Sequence, residues 1–317
     1  MTLLVTGATG FLGRHLVSRL VADQRAFRVV ARTAGPALAA VDTVIVPQID
    51  GATRWHDALR GVQTIIHVAG LAHGAGGDSF SELQRVNVDG TAALARAAAD
   101  AGVRRMVFLS TAKVHGDASA YDVPINEDSV LAPQDEYARS KLRAEQRLQE
   151  TAGASNLECV VVRTVLAYGA GVKANFRAMM DAIARGVPLP LASVDNRRSI
   201  VFAGNLVDAL LMCCDRTAAA GETFLVSDGA PVSTPELLRC IGGALGKAPR
   251  LLPLPPSLLR LVARPVGAGS AVERLLGNFE VDTTRIRTTL GWVPPFTMAQ
   301  GLAATAQWYA KPERERR

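Results

Sequence analysis

Cysteine is scarce in this chain of 317 residues, with only Cys159, Cys213, Cys214 and Cys240. None stands at the C-x-x-C spacing of a zinc or redox site. Sequence neighbours on a helix point in different directions, so Cys213 and Cys214 make no metal pair. Buried free thiols in a reducing, cytoplasmic setting are the expectation. Histidine is thin as well, five in all and none at H-x-x-x-H spacing, so no metal site is assigned. Aromatics make up 5% of the chain, and no basic run lies between them. The formal charge of +6 therefore does not point to nucleic acid. No apolar run approaches the roughly 18 residues of a spanning helix, and no basic stretch or cleavage site precedes Leu3. Membrane insertion is not expected. Residues 251–262 are apolar but carry prolines and Arg260, and they read as a buried or lid segment. The terminal KPERERR reads as a solvated tail.

What remains is a globular chain, 49% hydrophobic, with enough length for one large core and a smaller appended lobe. Its first half alternates apolar strands with helices. Strands are expected at residues 3–6, 27–31, 43–46, 64–68, 105–109 and 158–163. Helices are expected at 11–22, 79–101 and 135–150, with Gly102 as a C-cap. Continuous apolar strands separated by helices mean a parallel sheet covered on both faces. After Arg163 the rhythm breaks, and prolines from Pro188 to Pro256 punctuate shorter elements.

Gly7, Gly10 and Gly13 form G-x-x-G-x-x-G between the first strand and the first helix. Backbone N–H groups at such a helix start attract a pyrophosphate, and missing side chains let it approach. The fold class is therefore α/β: a Rossmann-type doubly wound parallel sheet with a smaller C-terminal substrate lobe. Residues 1–163 form the dinucleotide-binding domain. Residues 164–317 form mainly the substrate lobe, with 198–215 expected to return to the first domain. A crevice between lobes would house the substrate.

The end of the second strand separates the two nicotinamide cofactors. An NAD site usually carries an acid there for the ribose 2′-OH. Here Ala31 is followed by Arg32 and Thr33. Arg32 can hold a 2′-phosphate, which favours NADP. An Arg32 that only stacks on adenine leaves NAD acceptable. Gln48 and Ile49 close the third strand and should border the adenine. Ala69 and Gly70 follow the fourth, where small residues let a ribose lie on the strand end.

Tyr137 and Lys141 give Y-x-x-x-K on an expected helix. Positions four apart share a face, so phenol and ammonium can converge. The charge lowers the phenol pKa, as general acid–base catalysis requires. Ser110 and Thr111 end the preceding strand, where a hydroxyl can reach the reacting oxygen.

These motifs together resemble the extended short-chain dehydrogenase/reductases, of the NAD-dependent epimerase/dehydratase kind, over nearly the whole chain. TGATGFLG, which contains Phe11 and Leu12, is similar to the group's cofactor loop. HVAG at 67–70 is similar to its fourth-strand motif. VNVDGT supplies Asn87 as a cofactor-side asparagine. LSTAKVHG resembles S-S-x-x-V-Y-G, which makes Thr111 the catalytic hydroxyl and Ser110 its substrate-side neighbour. RRSIVFAGNLVDA resembles the segment whose arginine holds a UDP-sugar diphosphate, and Arg198 is the match. Asn175, in VKANF, falls where the group places a second diphosphate ligand. His115 replaces the usual tyrosine, and Thr164 a common proline. Ala112 and Lys113 replace the acid pair of dehydratases, which discounts a 4,6-dehydratase. The resemblance also implies a homodimer, with the Ala-rich helix near 91–101 suited to the contact.

The resemblance implies redox chemistry at C4 of a UDP-sugar. The missing acid and Arg32 tilt the reading slightly to a 4-ketoreductase of a UDP-4-keto-6-deoxy-N-acetylhexosamine in surface-polysaccharide synthesis, using exchangeable NADPH. The alternative is a 4-epimerase of UDP-glucose or UDP-N-acetylglucosamine, which keeps its NAD. A third option is a carbonyl reductase for a non-nucleotide ketone, which needs neither Arg198 nor Asn175. His73 could touch substrate or be a structural loop histidine, Phe279 could face sugar or core, and Lys113 and Lys173 could meet phosphate or water.

Overall fold

The computed structural model describes residues 2–35, 38–72, 79–263 and 269–312. Among the described residues nine strands follow one another: β1 (Leu3–Thr6), β2 (Phe27–Ala31), β3 (Asp42–Ile45), β4 (Thr64–His67), β5 (Arg105–Thr111), β6 (Glu158–Thr164), β7 (Leu166–Tyr168), β8 (Ile200–Phe202) and β9 (Thr223–Val226). Seven make one sheet in the order β3-β2-β1-β4-β5-β6-β9, with every pairing parallel. The order reverses at β1. That leaves a crevice outside the carboxyl ends of β1 and β4, where such sheets bind ligands.

All four residues of β1 and of β4 are buried, as strands covered on both faces require. One covering layer contains the helices Phe11–Ala22 and Ala203–Asp215, which bring Leu16, Leu20, Leu206 and Leu210 onto the sheet. The other contains Gly90–Asp100 and Glu136–Gly153, with Leu94, Ala98, Ala144 and Leu148. Among the described residues, no helix is long and apolar enough to cross a membrane.

The continuous helix expected over 79–101 is three pieces. A capping box on Ser79 starts Phe80–Leu83, a π-helical stretch runs over Gln84–Asp89, and Gly90–Asp100 resumes the α-helix. Gly102 then adopts φ +70°, the left-handed conformation that ends a helix.

The second lobe has its own core. β7 and β8 pair in parallel, and the helices Ala174–Arg185, Thr234–Ala244 and Met298–Ala310 enclose Tyr168, Phe176, Met180, Leu238 and Leu302. The return to the main sheet runs further than 198–215. Helix Ala203–Asp215 packs on Phe11–Ala22, but the strand that joins the sheet is β9, beside β6. β8 pairs with β7 instead.

Candidate active site at the strand ends

The glycine loop is built for close approach. Gly7 has φ +75°, and a methyl group there would lie 2.7 Å from the Ala69 nitrogen. A methyl on Gly13 would lie 2.0 Å from the Gly7 carbonyl oxygen, so the helix start packs directly on the loop. Gly10 is the N-cap of helix Phe11–Ala22 and offers no side-chain acceptor. The first N–H groups of that helix thus keep their donors for an anion. Phe11 is half-buried, edge-on to His15, while the Leu12 side chain is in the core. These residues fit a dinucleotide pyrophosphate.

At the end of β2, Arg32 is exposed and no described carboxylate pairs with it. The residues expected beside adenine are partly engaged elsewhere. The Gln48 amide donates to the Asp50 carboxylate. Ile49 packs on Gly90, where an added methyl would come within 2.7 Å of its Cγ2.

A buried hydrogen-bond chain ties β1 and β4 to helix Glu136–Gly153. Thr91 Oγ1 donates to the Asn87 carbonyl at 2.6 Å, so it accepts from His67 Nε2–H at 3.0 Å. His67 Nδ1 then accepts from Thr6 Oγ1 at 2.6 Å, and Thr6 accepts from the Ala69 N–H at 3.4 Å. Burial, with Lys141 nearby, pushes the His67 pKa down to about 3, so the ring is a neutral link. Asn87 continues the chain. Its amide accepts from the Leu71 N–H at 2.8 Å and donates to Leu71 O and Ser140 Oγ at 3.0 and 2.9 Å. Ser140 in turn donates to the Tyr137 carbonyl at 2.8 Å. Asn87, expected on the cofactor side, therefore holds the loop after β4 against helix Glu136–Gly153. The π-helical stretch is what places it there, a common use of such insertions.

Asp135 caps helix Glu136–Gly153 by accepting from Ala138 N–H at 2.7 Å. Tyr137 sits in the first turn, and its phenol pKa is pushed up to about 12 by burial and then by Asp135. Lys141, one turn on, is buried with its ammonium 4.2 Å from the Phe108 ring centroid. Burial pulls its pKa down to about 7 against the opposing pull of Glu145. A methyl on Gly70 would lie 3.7 Å from that ammonium, so Gly70 and Lys141 share the site wall. Thr111 ends β5 with its hydroxyl accepting from the Lys113 N–H at 3.3 Å.

Ser110, expected on the substrate side, is engaged by the protein itself. It is buried, and its hydroxyl donates to Glu145. Glu145 was not singled out from sequence, although it continues the spacing Tyr137, Lys141, Glu145 on one helix face. It forms a buried ion pair with Arg163 at 2.7 Å, the two side chains only 1% and 6% exposed. Arg163 also donates to His115 Nε2 at 3.0 Å, so the histidine at the usual tyrosine position buttresses this pair. Lys113 is held by Asp117 at 3.1 Å and by Asp135.

In the second lobe, Arg198 stands in a short backbone bridge to Val232 and Phe279. Its guanidinium donates to the carbonyls of Arg274 and Gly277, the latter at 3.1 Å. No described carboxylate pairs with it, and burial lowers its pKa. Asn175 is exposed in the first turn of helix Ala174–Arg185, and Lys173 precedes it. Phe279 is buried in the core. His73 lies outside the described residues. No group of three His, Cys, Asp or Glu side chains converges among the described residues.

The sequence matches the NAD dependent epimerase/dehydratase family over residues 3–227, which end just past β9. It is 37% identical to a UDP-glucose 4-epimerase of Vibrio cholerae over 312 residues, covering 96% of this chain and 94% of that one. A UDP-glucose 4-epimerase of Mycolicibacterium smegmatis is 30% identical, with 98% of each chain covered. A solved short-chain dehydrogenase/reductase superfamily protein from Agrobacterium tumefaciens, with bound NAD, superimposes with a TM-score of 0.78 at 25% identity over the full length of both chains. The glycine loop, the tyrosine–lysine helix and the end-to-end similarity agree: this chain is an enzyme of the NAD dependent epimerase/dehydratase family.

Proposed function

We propose that the chain is a UDP-sugar 4-epimerase acting on UDP-glucose or its N-acetylated counterpart. The observation that carries this reading is Arg198. A half-buried guanidinium that pairs with no described carboxylate keeps its positive charge for an anion, and its planar fork suits two phosphate oxygens. The full-length similarity to two UDP-glucose 4-epimerases supports the sugar and the reaction. It also moves the reading away from the 4-ketoreductase favoured by the sequence alone.

In this account Tyr137 accepts the C4 hydroxyl proton and returns one to the same oxygen. Lys141, when protonated, steadies the phenolate, and Thr111 hydrogen-bonds the reacting oxygen. The glycine loop from Gly7 to Gly13 would hold a nicotinamide dinucleotide, which would supply the hydride acceptor and donor. The protein by itself holds Tyr137 protonated, poised as the acid for a keto sugar. Arg198 keeps the diphosphate fixed while the sugar presents its other face.

One observation favours the reductase as a second reading. Arg32, with no acid at the end of β2, suits NADPH that exchanges after each turnover. A reductase of small ketones has no use for Arg198. Calorimetry with UDP tests the clamp. Wild type should bind it, and Arg198→Ala should weaken binding by about tenfold or more while leaving the dinucleotide site intact. No UDP binding by wild type at about millimolar concentration overturns the nucleotide-sugar reading.

A further inference from the structure

Four leucines are strongly exposed among the described residues, and three lie within residues 252–261. Leu252, Leu258 and Leu261 are 50%, 45% and 63% exposed, although the apolar stretch reads from sequence as a buried or lid segment. Helix Pro256–Ala263 shows why this is not a frayed core element. Leu259 packs against the lobe core, and Arg260 pairs with Glu273 at 2.9 Å to hold the helix against Gly269–Leu276. Leu258 and Leu261, three positions apart, share the opposite, outward face. The fold does not use them.

The charge around these leucines is one-sided. Among the described residues of 247–276 stand Lys247, Arg250, Arg260 and Arg274 against the single acid Glu273, to which Arg260 is paired. Exposed leucines among arginines on a short amphipathic helix are the signature of a surface that lies in a membrane interface. We infer that this helical pair, with the chain from Arg250 leading into it, docks on an anionic lipid bilayer. Acyl carbon accepts the leucines, and headgroup phosphates accept the arginines. The same pair reaches the substrate lobe, since the Arg274 and Gly277 carbonyls accept from Arg198. Docking would hold that lobe at the headgroup plane. This inference does not rest on the sugar reading.

Sedimentation of the full chain with vesicles tests it. The protein should pellet with phosphatidylcholine–phosphatidylglycerol vesicles, much less with phosphatidylcholine alone, and less again at high salt. Leu258→Asp with Leu261→Asp should reduce the pelleted fraction by about tenfold, and Arg250→Glu with Arg274→Glu should reduce it as well. Circular dichroism melting checks that both double variants remain folded. The inference is overturned if wild type stays in the supernatant, if neutral vesicles bind equally well, or if folded leucine variants pellet like wild type. A self-association seen by light scattering and abolished by the same leucine changes assigns the face to a second copy and also overturns it.

Discussion

Lys141 carries a cost that a stability measurement can expose. Burial pulls its pKa from 10.5 to about 7. Below pH about 7 both folded and unfolded chains hold the proton, and the native state bears the full desolvation penalty. Between about 7 and 10.5 the folded chain releases its proton first, so the penalty fades as pH rises. Above 10.5 both forms are neutral and nothing is left. At about 1.4 kcal/mol per pKa unit, the ceiling is roughly 5 kcal/mol. Replacement by methionine keeps the stem and removes the charge. It also loses the cation–π contact with Phe108, worth about 1–2 kcal/mol when desolvated. Lys141→Met should therefore stabilise the fold by a few kcal/mol at pH 6, on the order set by those two terms. The gain should shrink steadily towards pH 9. Urea unfolding at several pH values reads this directly. A variant no more stable than wild type at pH 6, with a flat difference across pH, would refute the buried-charge reasoning.

Two further outcomes follow from the site. Tyr137→Phe should lower turnover by at least about a hundredfold, the scale of one acid–base group, with little change in dinucleotide affinity by fluorescence titration. Near-normal turnover would remove Tyr137 from the chemistry. Arg32→Asp should shift the ratio of NADPH to NADH affinity by at least about tenfold towards NADH, through loss of a charge-assisted hydrogen bond. An unchanged ratio would mean that Arg32 does not select the cofactor.

The strands of the main sheet up to β6 were legible because buried parallel strands are continuous apolar runs, as in LLVT and TIIH. β9 was not. TFLV is an apolar run as short as LLVT and TIIH, but it lies past Arg163, where the strand–helix alternation that marked the earlier strands has broken. The π-helical stretch was hidden for a related reason, since a 3.6-residue pattern cannot show one widened turn. The glycine loop and Y-x-x-x-K were readable because their chemistry fixes their spacing. Glu145 and Arg163 were not, because a lone acid on a helix looks solvated until its buried partner is known. Ser110 shows the converse. A hydroxyl at the right strand end looked substrate-facing, and its partner Glu145 turned it inward.

A 4-epimerase removes a hydride from C4 of the sugar and returns the same hydride to it. Purified protein incubated with NAD and UDP-glucose deuterated at C4, followed by nuclear magnetic resonance, tests it most directly. The expected product is UDP-galactose with the deuterium still at C4 and no net NADH. Absence of any C4 conversion of UDP-glucose or UDP-N-acetylglucosamine, together with steady NADPH consumption on a 4-keto sugar, would contradict it and establish the reductase.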